Sequence, residues 1–78
     1  MTTTVYSTPT CPWCHKVKDY LKQHNIQFED VDVSKDRAKA MEMVEKSGQM
    51  GVPVIAIDNE IIVGFDKDRI SELLKIKE

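Results

Sequence analysis

The chain's two cysteines, Cys11 and Cys14, stand in the segment Cys11-Pro12-Trp13-Cys14. Thiols at this spacing can cycle between dithiol and disulfide, contribute to a metal site or, with His15 following, carry a haem. A permanent staple is a poor use of them, because closing so short a loop removes little entropy from the unfolded chain. A structural zinc site needs four ligands and the pair supplies two. The histidines, His15 and His24, are poor candidates for the remainder, since His15 directly follows Cys14 and leaves a helix at a different angle. Haem attachment belongs to export compartments. The start, Met1-Thr-Thr-Thr-Val-Tyr6, lacks the basic stretch and apolar run of a signal peptide. Redox cycling is the chemistry that uses both sulfurs at this spacing.

The elements around the pair must position it for that chemistry. Thr3–Ser7 is β-branched and aromatic and reads as a strand. From Trp13 to about Asn25 the spacing of Val17, Tyr20, Leu21 and His24 is helical. Pro12 suits the first turn, where its missing N–H is no loss. Cys11 then falls among the unpaired N–H groups at a helix start, where these groups and the helix dipole favour a thiolate. A thiolate there attacks a substrate disulfide and forms a mixed disulfide, which Cys14, one turn on, can resolve. The expected roles are Cys11 as nucleophile and Cys14 as resolving cysteine.

The rest of the chain supplies a scaffold. Gln27–Val33 alternates as a second strand. Ser34 or Asp36 can cap a helix that runs to about Ser47 and stops at Gly48, with Ala40, Met41 and Val44 as its inner stripe. Val52–Ile57 and Glu60–Val63 flank the turn at Asp58-Asn59 and form a hairpin. Asp66 can cap a last helix from Lys67 to about Ile76, with Ile70, Leu73 and Leu74 inward. The order β-α-β-α-β-β-α predicts an α/β fold with a four-stranded mixed sheet flanked by helices, its first two strands parallel across a right-handed crossover. All 78 residues are expected to form one domain, 1–78. A net charge of −2 argues against a nucleic-acid partner, and no apolar run approaches the length of a membrane span. The chain is expected to be cytoplasmic and monomeric.

With the motif in place, the sequence resembles the glutaredoxins of the thioredoxin superfamily from end to end. Tyr6-Ser-Thr-Pro-Thr-Cys-Pro-Trp-Cys14 is similar to the family's first strand and active site, with Trp13 where tyrosine is usual. Ser47-Gly-Gln-Met-Gly-Val-Pro53 is similar to the segment ending in Thr-Val-Pro, with Gly51 in place of threonine. Val63-Gly-Phe-Asp66 is similar to Gly-Gly-x-Asp, with Val63 for the first glycine. The resemblance implies a thioredoxin-like fold and a thiol–disulfide oxidoreductase with no bound cofactor. It also implies a cis Val52–Pro53 bond beside the active site, and a substrate platform made of Pro12, Trp13, Val52, Pro53, Gly64, Phe65 and Asp66. Disulfide-bearing proteins or glutathione mixed disulfides would be the substrates.

Two departures bear on the electron source. The family's basic residue three positions before the first cysteine is here Thr8, and a second basic position in the second helix is Ala40, next to Lys39. Both would weaken the hold on glutathione carboxylates. The Gly64-Phe65 pair is also similar to redoxins that take electrons from thioredoxin reductase and pass them to ribonucleotide reductase, whereas Pro12-Trp13 is closer to ordinary dithiol glutaredoxins. Glutathione and thioredoxin reductase therefore stand as alternative donors. A cluster shared between Cys11 thiolates of two chains, as in iron–sulfur carriers, is a third possibility that Pro12 disfavours.

Trp13, between the cysteines, is expected to be partly exposed. Lys16 and Lys18 read as a solvated helix face and His15 as a surface histidine. Phe28 and the methionines of 41–50 read as core.

Overall fold

A computed structural model describes residues 2–76. The strands are β1 (Thr3–Ser7), β2 (Glu29–Asp32), β3 (Val54–Ile57) and β4 (Glu60–Val63). The helices are α1 (Pro12–Gln23), α2 (Arg37–Ser47) and α3 (Lys67–Leu74), and the order along the chain is β1-α1-β2-α2-β3-β4-α3. The sheet order is β2-β1-β3-β4. β1 runs parallel to β2 and antiparallel to β3, and β3 pairs antiparallel with β4. This is the mixed four-stranded sheet that the element order predicts.

Strand periodicity divides the core. Successive side chains point to opposite faces of a strand, so Val5, Ile55, Ile57 and Ile62 face one side while Tyr6, Val54 and Ala56 face the other. The first side packs against Val17, Tyr20 and Leu21 of α1 and Ile70 of α3. The second packs against Met43 of α2. The sheet is thus sandwiched, with α1 and α3 on one face and α2 on the other. Phe28 packs against the larger cluster.

Caps fix the helix limits. Asp36, not Ser34, caps α2, accepting from the Lys39 N–H at 3.1 Å. Gly48 ends α2 at φ 76°, where a residue without Cβ carries no penalty. α1 stops at Gln23, two residues before the expected Asn25, because Asn25 takes φ 57°. The Ile26 N–H then bonds back to the Leu21 carbonyl at 2.9 Å.

Other boundaries also move. β2 is shorter than Gln27–Val33, β3 begins at Val54 and not Val52, and α3 ends at Leu74 and not Ile76. The stripe on α2 is corrected in part: Val44 packs on the core as expected, but the buried residue is Met43, while Met41 is 63% exposed and Met50, beyond the helix, is 78% exposed. Two of these methionines therefore face solvent.

Candidate active site

Cys11 is the N-cap of α1, extended at φ −94° and ψ 109°. That conformation turns its side chain back over the helix start, and the Cys14 N–H donates to Cys11 Sγ at 3.2 Å. A sulfur that accepts from a helix-start amide is placed to carry negative charge. Cys11 is half-buried and Cys14 is fully buried; both are free thiols. Burial, reinforced by the hydrogen bond to Cys11, pushes the Cys14 thiol up from its ordinary 9.0 to about 11; the Thr8 backbone and the Lys18 ammonium act the other way.

That shift has a consequence for stability. From pH 9 upward the unfolded chain releases the Cys14 proton, while the folded chain holds it until about pH 11. The unfolded state then binds fewer protons, so stability falls as pH rises through this window. Urea titrations of the reduced protein should show a loss on the order of 1–3 kcal/mol more than Cys14→Ala shows over the same interval. Parallel curves would contradict the burial argument.

The segment opposite is Val52–Pro53, whose peptide bond is cis. The Val52 carbonyl oxygen lies 4.0 Å from Cys11 Sγ. Trp13, Val52, Pro53, Gly64 and Phe65 together line one cleft of about 310 Å³ beside the sulfur. Five of the residues expected as a substrate platform therefore meet, although they come from three separate stretches of the chain. Gly64 makes the junction possible: its φ is 79°, and its N–H donates to the Pro53 carbonyl at 2.8 Å. Pro12 and Asp66 do not line this cleft. Pro12 opens α1, and the Asp66 carboxylate accepts from the Arg69 N–H at 3.2 Å as the N-cap of α3.

The cleft has an aromatic wall, and a neighbouring cavity that shares Phe65 is lined by Lys16, Asp19, Tyr20, Gln23 and Lys67. Trp13 is 56% exposed, and its ring centroid is 6.4 Å from that of Phe65. Phe65 continues to Tyr20 at 5.7 Å. Lys16 Nζ sits 4.5 Å from the Trp13 centroid, and Lys67 Nζ 5.7 Å from that of Tyr20. Neither Tyr20 nor Lys67 was singled out as a site residue from the sequence; the three-residue step from Trp13 to Lys16 was the available signal for the first cation. At the expected basic positions, Thr8 offers no charge, and Lys39 turns away to Glu42 at 3.6 Å. Among the described residues no group of three or more His, Cys, Asp or Glu could hold a metal ion, so the histidines do not complete a ligand set with the cysteines. Nor is any described helix long and apolar enough to cross a membrane.

Lys18 departs from the solvated-face expectation. Its side chain is 14% exposed and pairs with Asp30 at 3.2 Å. His15, by contrast, is exposed, and its Nε2 donates to the Pro9 carbonyl at 3.0 Å.

Residues 3–62 match the family described as Glutaredoxin. The chain belongs to the glutaredoxin family. An uncharacterized glutaredoxin-like 8.6 kDa protein in the rubredoxin operon of Clostridium pasteurianum is 56% identical over 71 residues, covering 91% of this chain and 95% of that one. Glutaredoxin 3 of Escherichia coli strain K12 is 37% identical over 62 residues, with 80% and 75% covered. The crystal structure of a mutant of the thioredoxin-like protein BC3987 superposes with a TM-score of 0.92 at 34% identity, covering 97% of each chain. This glutaredoxin-family chain thus has the thioredoxin-like fold and is a thiol–disulfide redox protein.

Proposed function

We propose that this glutaredoxin-family protein reduces protein disulfides or glutathione mixed disulfides through a Cys11/Cys14 dithiol cycle. The observation that carries the reading is the asymmetry of the pair. Cys11 Sγ is reachable and accepts an amide hydrogen bond, whereas Cys14 is buried directly behind it.

The steps follow from that asymmetry. The Cys11 thiolate attacks one sulfur of a substrate disulfide, the S–S bond breaks, and the leaving thiolate takes the electron pair and a proton from water. The substrate stays attached as a mixed disulfide on Cys11. Cys14 then loses its proton and attacks Cys11 Sγ, which forms the Cys11–Cys14 disulfide and expels the reduced substrate. Two electrons have passed to the substrate, and a donor thiol must return them. During this cycle the cleft of Trp13, Val52, Pro53, Gly64 and Phe65 holds the chain next to the scissile sulfur, with the Val52 backbone available to an extended substrate in the manner of an added strand.

A second reading concerns the donor. Thr8 and Ala40 are uncharged, and the neighbouring Lys39 pairs with Glu42 at 3.6 Å, so the two positions that would meet glutathione carboxylates carry no cation of their own. This favours thioredoxin reductase as the electron source. Coupled NADPH oxidation, run once with glutathione and glutathione reductase and once with thioredoxin reductase, separates the two. Turnover only in the glutathione system would remove the second reading. Thr8→Lys is expected to raise glutathione-dependent kcat/KM by about 1.5- to 5-fold, the value of one partly exposed charge pair, and to leave reductase-dependent turnover unchanged.

A further inference from the structure

Cys14 presents a problem that the dithiol cycle leaves open. It must become a thiolate to resolve the mixed disulfide, yet it is fully buried, and burial disfavours the charged form. Something close must offset that penalty.

The structure offers one cation on the correct face. Lys18 follows Cys14 by four residues on α1, one turn further along, so the two side chains share a face of the helix. The Lys18 ammonium is not in solvent. It donates to Asp30 Oδ2 at 3.2 Å and to Ser7 Oγ at 3.5 Å. Ser7 is itself 2% exposed and donates to Asp30 Oδ1 at 3.0 Å. This triangle joins the end of β1, β2 and α1, and anchors the ammonium on the protein instead of leaving it to rotate in water. It borders a polar cavity of about 270 Å³ lined by Ser7, Thr8, Pro9, His15, Lys18, Asp30 and Asp32. The charged and titratable groups facing this region are His15 and Lys18 from α1 and Asp30 and Asp32 from β2. His15 is turned to the Pro9 carbonyl and Asp32 to Ser34, which leaves Lys18, held on Asp30 and Ser7, as the cation on the helix face that carries Cys14.

We propose that Lys18 is a positioning residue for the resolving step: held by Ser7 and Asp30, its ammonium stabilises the Cys14 thiolate that attacks the mixed disulfide on Cys11. The inference rests on the dithiol reading above. It assigns Lys18 no part in the first attack, because Cys11 accepts its stabilising hydrogen bond from the helix start on the cleft side. The direction of the Lys18 influence on Cys14 agrees with this geometry.

Reaction of the reduced protein with dithiobis-nitrobenzoate separates the two steps. Attack by Cys11 releases one nitrothiobenzoate and leaves the other bound in a mixed disulfide. Attack by Cys14 on Cys11 Sγ releases the second, at a rate independent of reagent concentration. For Lys18→Gln the second phase is expected to be about 3- to 10-fold slower near neutral pH, with its pH profile displaced to the alkaline side by about half to one unit. The first phase, which also reports that the variant has folded, should stay within about twofold. Lys18→Arg should restore the second phase, since it keeps the charge. A Lys18→Gln profile that overlays the wild type overturns the proposal, as do equal slowing of both phases or failure of Lys18→Arg to restore the rate. If the wild-type protein releases only one nitrothiobenzoate per chain, the dithiol cycle itself fails and this inference falls with it. Two released with an unmoved profile removes Lys18 alone.

Discussion

Replacing Cys11 with serine is expected to lower disulfide reductase turnover by roughly a thousandfold or more, the scale of deleting a nucleophile. Serine keeps the size and the capping geometry, because its hydroxyl can accept from the Cys14 N–H as Cys11 Sγ does. It is not deprotonated near neutral pH and has no base beside it to activate it. Cys11 is only half-buried, so the melting temperature should change little, and the loss can be assigned to chemistry. Cys14→Ser should behave differently. It leaves the first attack intact, so reduction of glutathione mixed disulfides persists when a second glutathione resolves the adduct, while reduction of protein disulfides stalls at the mixed disulfide. Mass spectrometry of the stalled species checks this directly. Full reductase activity in Cys11→Ser would remove the proposed function.

Leu21→Ala is expected to destabilise the fold by about 2–5 kcal/mol. Leu21 is fully buried among Val5, Val17, Tyr20, Ile55 and Ile70, so truncation removes apolar burial and leaves a cavity between α1 and the sheet. A chain of 78 residues has only about 4–12 kcal/mol of stability in total. The melting temperature should therefore drop by roughly 10–30 °C, read by circular dichroism on the reduced protein. The effect reaches the active site because the helix that holds Leu21 and Val17 against the sheet also begins at the Cys11 cap. Met41→Ala on the exposed side of α2 should stay within about 0.5 kcal/mol. A similar small effect at Leu21 would mean that α1 is not packed as described.

The comparison of these two sites shows how much the amino-acid order fixed alone. The placement of Cys11-Pro12-Trp13-Cys14 between a strand and a helix start was legible, because a strand, a Pro at the first turn and a helical repeat of Val17, Tyr20 and Leu21 are local properties. So were the number and order of the elements and the Gly48 and Asp66 caps, each set by side-chain and backbone hydrogen bonding within a few residues, whereas the choice of Asp36 over Ser34 came from the structure. The glutaredoxin motifs pointed to Val52–Pro53 and Gly64-Phe65, and the structure brings them with Trp13 into one cleft.

Tertiary packing decided the rest. On α2 the rotation of the helix against the sheet buries Met43 and leaves Met41 outside, and spacing along the chain does not set that rotation. The ends of α1, β2, β3 and α3 shifted by one or two residues because left-handed residues and sheet pairing compete with local preference at those points. Lys18 was read as solvated because a lysine on a helix ordinarily is. Only the parallel pairing of β1 with β2 brings Ser7 and Asp30 within reach of its ammonium. The sequence by itself placed Cys11 and Cys14 one turn apart at the start of a helix, the arrangement on which the proposed dithiol cycle rests. The fold determined which of them is reachable, which is buried, and what charge stands behind the buried one, since burial and long-range charge arise only when distant segments meet.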